Sequence, residues 1–343
     1  MNAPPTISAP PPAPDLGGWL HDLSPFAFRI SGDFGIRWYG LAYVAGLLIA
    51  WGMASWMSRT ERSLIPTTRV SDMMMWIIGG VLIGGRLGYV LFYDPRLLIG
   101  FEQSFPWWQA LAIHQGGMAS HGGILGVIVA LLIFAARNRI PLLHPLDVAA
   151  LIATPGLFLG RLANFVNGEL WGEPWRGEGE APAWTVKYPN EVLYNPGAFD
   201  LEPLRSTVGG EASFHERVVM EAQAGNQTVL DVLQPQLTPF YPSSLLQALS
   251  DGPILLAALV LVWWRPRKPG VIAGCFLVFY SLLRIITEFF RQPDEGVALV
   301  MGLSRGQQLS LLQMMIGLIL LIWCATRRVE AVGGLGSPRA ITR

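Results

Sequence analysis

Long apolar runs separated by short basic connections set the pattern of this chain. Seven runs approach the roughly twenty residues that a bilayer crossing demands: residues 39–58, 72–93, 120–136, 146–165, 243–264, 270–290 and 307–325. Glycines and polar residues interrupt the third and fourth. The pattern predicts an all-α integral membrane protein with seven transmembrane helices.

The connections give an orientation, because Lys and Arg are enriched on the cytoplasmic side. One set carries Arg59, Arg62 and Arg69, then Arg137 and Arg139, then Arg265, Arg267 and Lys268, and finally Arg327, Arg328, Arg339 and Arg343. The other set is poor in basic residues for its length. The N-terminus is then expected outside and the C-terminus in the cytoplasm. The connection at 166–242 is far longer than an ordinary loop and acidic, with Glu169, Glu173, Glu178, Glu180 and Glu191 in its first part alone. It is expected to fold as a cap on the outer side, between the fourth and fifth helices. The implied division is an outer-side segment at 1–38, helices at 39–165, the cap at 166–242, helices at 243–325 and a cytoplasmic tail at 326–343. Residues 1–16 are rich in Pro and Ala, which predicts a disordered tail; they lack the basic region and apolar core of a cleavable signal peptide. No internal repeat is visible, which weighs against transporter folds built from two related halves.

Composition agrees with the pattern. The 343 residues are 52% hydrophobic and 14% charged, against about 25% charged in soluble domains. The formal net charge is zero, so no basic field is present to attract nucleic acid. Cys275 and Cys324 lie within apolar runs and read as small buried residues.

Charge inside the spans is the informative feature, since it costs at least about 2.5–3.5 kcal/mol per group at mid-bilayer. Arg86 lies in GGRLGYVLFY (84–93), His121 in GGMASHGGILG (116–126), Arg161 in GRLANFVNGELWG (160–172), and Arg284 with Glu288 in FYSLLRIITEFFRQPD (279–294). Four such segments together argue for an enclosed polar cavity. Tyr280, Arg284, Glu288 and Arg291 follow at i, i+4, i+8 and i+11 and are expected on one helix face. That face reads either as a buried Arg284–Glu288 ion pair or as an anion site tuned by Glu288. Arg161 and Asn164 are i, i+3 neighbours with Asn167 and Glu169 just beyond, a packing network or a guanidinium with amides suited to phosphate. His121 stands at what reads as a helix start, where the helix dipole disfavours the imidazolium; it is a structural histidine or a neutral proton acceptor. No second ligand lies at metal spacing. Tyr39 reads as an interfacial anchor or a side chain pointing into the cavity. The glycine pairs 79–80, 84–85, 116–117 and 122–123 permit close helix approach or close backbone access to a ligand.

With these segments in view, the chain resembles the prolipoprotein diacylglyceryl transferases of the bacterial inner membrane. The matching segments run in family order: RWYGLAY (37–43), GGRLGYVLFYD (84–94), GGMASHGGILGVIVA (116–130), GRLANFVNGELWG (160–172), YPSSLLQAL (241–249) and RIITEFFRQPD (284–294). The resemblance implies transfer of the diacylglyceryl group of phosphatidylglycerol to the lipobox cysteine of a preprolipoprotein, with glycerol phosphate released and no metal or organic cofactor. It implies Arg161 and Arg284 on the phosphate, with Arg86, Glu288 and Arg291 completing the lipid site. His121 is the candidate base, and Tyr39, Asn164, Glu169 and Tyr280 support it; Gly172 closes the matched loop as a conformational residue. One departure is visible: the family's usual His-Pro-Ser-Gln-Leu-Tyr-Glu is replaced by a segment running from Tyr241 to Gln247, which argues against catalytic duty at those two positions. An anion transporter and a catalytically silent lipid-binding relative are the competing classes.

Overall fold

The structure is a computed structural model that describes residues 17–31, 34–209, 214–291 and 302–336. The expected tail at 1–16, the Gln-Pro-Asp that ends the last matched segment, and Arg339 and Arg343 lie outside the described residues.

Among the described residues, seven helices are long and apolar enough to cross a membrane. They are α1 (Trp38–Arg59), α2 (Val70–Phe92), α3 (Ser120–Arg137) and α4 (His144–Val166), then a span over Ser243–Trp263, then Val271–Glu288 and Arg305–Thr326. The fold is all-α in its membrane part, and every span falls within a few residues of its apolar run. Leu48, Ile83, Leu261 and Ile319 are exposed, as residues facing lipid should be.

The chain divides into two compact units, each discontinuous in sequence. The first comprises 1–43, 159–249 and 286–305. It holds strands that the apolar pattern does not announce. β1 (Gly17–Leu20) pairs in parallel with β4 (Ala181–Lys187), which pairs antiparallel with β5 (Pro239–Phe240); β2 (Phe26–Ser31) and β3 (Phe34–Arg37) form a separate antiparallel pair. Between β4 and β5 run the short helices α5 (Glu191–Tyr194), α6 (Arg205–Val208), α7 (Phe214–Gln223) and α8 (Gln227–Leu233). Phe214, Val218 and Ala222 repeat at helical spacing along one stripe of α7. They bury with Val192, Leu204, Val229 and Leu233 into a small core. This apolar stripe gives the acidic 166–242 segment a packed interior.

The second unit comprises 44–158, 250–285 and 306–343. The fifth span enters it through a change of helix type: α9 (Ser243–Leu249) passes into a π-helical turn at Ser250–Ile254 and continues as α10 (Leu255–Trp263). Pro253 lies inside that turn, where its missing N–H and its ring disfavour a regular α ladder. The two remaining spans are α11 (Val271–Glu288) and α12 (Arg305–Thr326). Met73, Leu131, Phe134, Leu151, Leu255 and Leu259 form the centre of the core. Asp147 of α4 accepts hydrogen bonds from the Gly270 N–H (2.7 Å) and the Ala273 N–H (2.8 Å), satisfying orphan donors at the start of α11. Cys275 and Cys324 are free and buried. α2 and α3 pair closely: Gly80, Gly84 and Gly88 lie against Gly122 and Gly126, backbone to backbone.

Candidate active site

In the first unit the site is built at the end of α4. Arg161 and Asn164 lie in the last turns of that helix, and Asn164 is buried. The helix stops because Gly168 turns into the left-handed region at φ 65°, with its N–H on the Phe165 carbonyl at 2.9 Å. Glycine suits this position, as a side chain would disfavour it. The Glu169 N–H then returns to the Asn164 carbonyl at 2.9 Å. Leu170 also has a positive φ, 56°, an uncommon conformation for a residue with a side chain.

Neighbouring segments hold this loop. The hydroxyls of Ser243 and Ser244, both buried, donate to the carbonyls of Leu170 (2.6 Å) and Glu169 (2.8 Å). The Gly172 N–H donates to the Tyr241 carbonyl at 3.0 Å, the Tyr241 N–H to the Glu173 carbonyl at 3.0 Å, and the Glu173 N–H to the Phe290 carbonyl at 3.1 Å. A Cβ at Gly172 would run into the Tyr241 carbonyl oxygen and stand 2.6 Å from that of Phe290, which is the physical content of its conformational role.

The loop brings Glu169 within electrostatic reach of Tyr39. Tyr39 is hydrogen-bonded to Tyr43 one turn along α1, their ring centroids 5.2 Å apart, and it lies within electrostatic reach of both Glu169 and Arg161. The Asn167 amide donates to the Glu169 carboxylate at 3.4 Å. Partial burial pushes the Glu169 carboxyl above its ordinary pKa, opposed by the Asn167 hydrogen bond and by the nearby Arg37 cation. Elsewhere in this unit, Glu288 accepts a hydrogen bond from the Ser304 hydroxyl at 2.8 Å and lies 3.8 Å from the Arg291 guanidinium. Arg291 lies beyond the regular helix: α11 ends at Glu288, and the Arg291 backbone forms an isolated antiparallel bridge with Gly172 while its side chain stays beside Glu288.

The second unit holds the other candidates. Tyr280 and Arg284 are half-buried one turn apart on α11, and the Tyr280 ring stacks on Phe276 at 5.7 Å. His121 is exposed in the first turn of α3, the helix-start position its glycines suggested. Arg86, expected at the lipid, is held by the protein's own backbone carbonyls. Its Nε donates to the Ala110 carbonyl (2.7 Å), its Nη1 to Gly116 (2.7 Å) and Gly117 (3.0 Å), and its Nη2 to Gln109 (2.5 Å). The guanidinium is buried and clamps the α2–α3 connection by its carbonyls. Arg86→Lys cannot reproduce this planar fork, and stranding the buried Ala110 carbonyl alone costs about 1–3 kcal/mol. The expected result is a markedly lower melting temperature in detergent and faster proteolysis within residues 94–119. An unchanged melting temperature would contradict the clamp.

Several residues of these clusters escape a reading of charge inside spans. Tyr43 is one turn from Tyr39 and was recoverable from helical spacing. Ser243 and Ser244 sit inside a matched segment, where a serine pair just after a proline is a helix-start signal. Ser304 and Asn190, whose amide donates to the Asn167 and Gly168 carbonyls at 3.0 and 3.1 Å, carry no local signal. Tyr241 contributes backbone to the loop stitch and sets its ring at a tilt to Trp184 and edge-on to Phe290, with centroids 5.4 and 6.2 Å apart.

A guanidinium and a carboxylate within electrostatic reach of one phenol, near the end of a membrane helix, suit an anionic group at the membrane interface. Comparison with known proteins gives the same direction. The sequence model of the family described as prolipoprotein diacylglyceryl transferase matches residues 25–323. A phosphatidylglycerol–prolipoprotein diacylglyceryl transferase of Bdellovibrio bacteriovorus is 40% identical over 92% of this chain and 96% of its own length. Enzymes of the same name from Ruegeria pomeroyi and Rhodospirillum rubrum are 36% and 34% identical, covering 87% and 88% of this chain and 94% and 93% of their own. This chain belongs to the prolipoprotein diacylglyceryl transferase family.

Proposed function

We propose that the protein transfers the diacylglyceryl group of phosphatidylglycerol to the lipobox cysteine thiol of preprolipoproteins in the bacterial inner membrane. Family membership supports the reaction. The observation that carries the site is the Arg161, Tyr39 and Glu169 cluster, fixed at the end of α4 by the stitched loop.

The chemistry asks for two things. The cysteine thiol, with an ordinary pKa of about 8.5, loses its proton as its sulfur attacks the glycerol carbon esterified to phosphate. The C–O bond breaks, its electron pair stays on the phosphate oxygen, and glycerol phosphate departs with one more negative charge. Arg161 and Arg284 are the groups for that charge, because a fixed guanidinium in a site of low dielectric stabilises charge as it develops. Glu288 and Arg291 orient the headgroup side, and Tyr39, Asn164, Glu169 and Tyr280 support the arrangement. Arg86 serves by holding its loop. His121, in the first turn of α3, takes the thiol proton. The basic connections support a cytoplasmic C-terminus and an outer N-terminus and cap.

The test is reconstitution in vesicles containing phosphatidylglycerol with a lipobox peptide, read by the mass of the modified peptide. No product from folded protein, under conditions where the Bdellovibrio bacteriovorus relative works, would overturn the proposal. Saturable anion flux without lipid chemistry would favour a transporter instead. His121→Gln is expected to lower kcat at neutral pH by about a hundredfold or more, with partial recovery above the thiol's own pKa, where no base is needed. An unchanged pH–rate profile would assign the proton to another group.

A further inference from the structure

The α2–α3 pair carries a groove of about 890 Å³ to which the proposed reaction assigns no role. Its origin is the glycine interface. Where Gly80, Gly84 and Gly126 bring the two backbones together, no side chains fill the seam, and a trough is left. Met75, Ile83, Val129 and Ile133 are among the side chains that line it.

The groove is not apolar throughout. Arg69, Asp72, Arg137 and Asn138 line it at the end where α2 begins and α3 finishes. Arg69 is paired with Asp72 at 2.9 Å. The Arg137 guanidinium lies over the Trp76 ring, 5.2 Å from its centroid, and no carboxylate pairs with it among the described residues. The mouth is therefore net cationic, with an indole at its edge, the arrangement met at a membrane interface. From Asp72 to Gly84 the helix rises about 18 Å, close to the roughly 15 Å of hydrocarbon in one leaflet. The trough is thus the length of one acyl chain ending at a cation.

We propose that this groove binds an anionic phospholipid, one acyl chain in the glycine-floored trough and the phosphate against Arg137 and Arg69. A headgroup with its own cation would place that charge against two guanidiniums, and Asp72, the only carboxylate lining the mouth among the described residues, is already engaged by Arg69. The site lies wholly within the second unit and does not depend on the transferase reading.

The experiment uses the full-length protein in phosphatidylcholine vesicles doped with phosphatidic acid bearing a diazirine on its acyl chain, with cross-linked peptides mapped by mass spectrometry. Phosphatidic acid has no glycerol headgroup to surrender, which keeps the reaction out of the readout. Adducts are expected on the α2 and α3 residues that line the trough, and the double variant Arg69→Ala, Arg137→Ala should lower them about tenfold. Gly79→Leu should abolish them, because a Cβ at Gly79 meets nothing within 4 Å and the side chain enters the trough without prising the helices apart. Equal labelling by a diazirine phosphatidylcholine, or labelling that survives the double variant in protein of unchanged melting temperature, would overturn the proposal and leave ordinary contact with bulk lipid.

Discussion

Replacing Arg161 by alanine is expected to lower kcat/KM for diacylglyceryl transfer by about three orders of magnitude while the protein keeps its fold. Losing one fixed donor to a developing oxyanion costs about a hundred- to a thousandfold. Arg161 sits at the upper end, because it is also the cation within electrostatic reach of Tyr39. Its removal would leave the Tyr39 phenol facing the phosphate without that cation. The fold should survive because the last turns of α4 are anchored by other residues: Ala163 and Phe165 are buried, and the backbone of Asn164 and Phe165 carries the loop that follows. Arg161→Lys separates charge from geometry. It retains a point charge and loses the planar fork, so it should recover part of the rate. A variant Arg161→Ala that binds phosphatidylglycerol and transfers at more than a tenth of the wild-type rate would remove this residue from the site.

Arg161 also shows where sequence reading reached its limit. Arg86 and Arg161 give the same signal, a guanidinium in an apolar run next to glycines, and the cost of burial says only that each must have partners. It does not say whether those partners are the protein's own carbonyls, as for Arg86, or a substrate. Fourfold ligation by a distant loop is invisible to local spacing. Arg291 shows a related limit: helical periodicity groups it with Glu288, and it does stay 3.8 Å from that carboxylate, but the helix ends at Glu288 and the Arg291 backbone pairs with Gly172, which spacing does not foresee. The spans were legible because a bilayer imposes one length and one polarity on every crossing. The small sheets of the first unit were not, since β1 and β4 are short and far apart in sequence, and each finds its pattern only in the other. The serines that hold the Glu169–Leu170 loop lay in plain view inside a matched segment, overshadowed by the altered residues at either end of it.

The glycine pairs, which alone carried little weight in the sequence, lead to the largest expected loss of stability. Gly84→Val should destabilise the protein by about 3 kcal/mol or more, at or above the upper end for overpacking. A Cβ at Gly84 would collide with the Gly122 carbonyl oxygen and stand 2.7 Å from the Gly126 Cα. Both obstacles are backbone, so no rotamer change relieves them, and the two helices must separate. Separation is costly here because helices in lipid associate through close packing rather than through any hydrophobic gain. Gly80 and Gly88 follow the same rule, with a Cβ at 2.7 Å from the Gly126 carbonyl oxygen and from the Gly122 Cα. Arg86 lies beside Gly84 on α2, and His121 beside Gly122 on α3, so moving the helices apart displaces the loop clamp and the candidate base together. Gly84→Val is therefore expected to lose activity along with stability although it touches no substrate. Gly79→Val, five residues away in a position open to space, should cost little of either. Melting curves and transfer rates measured on the two variants side by side decide the matter: equal melting would mean that the α2–α3 contact does not rest on bare backbone.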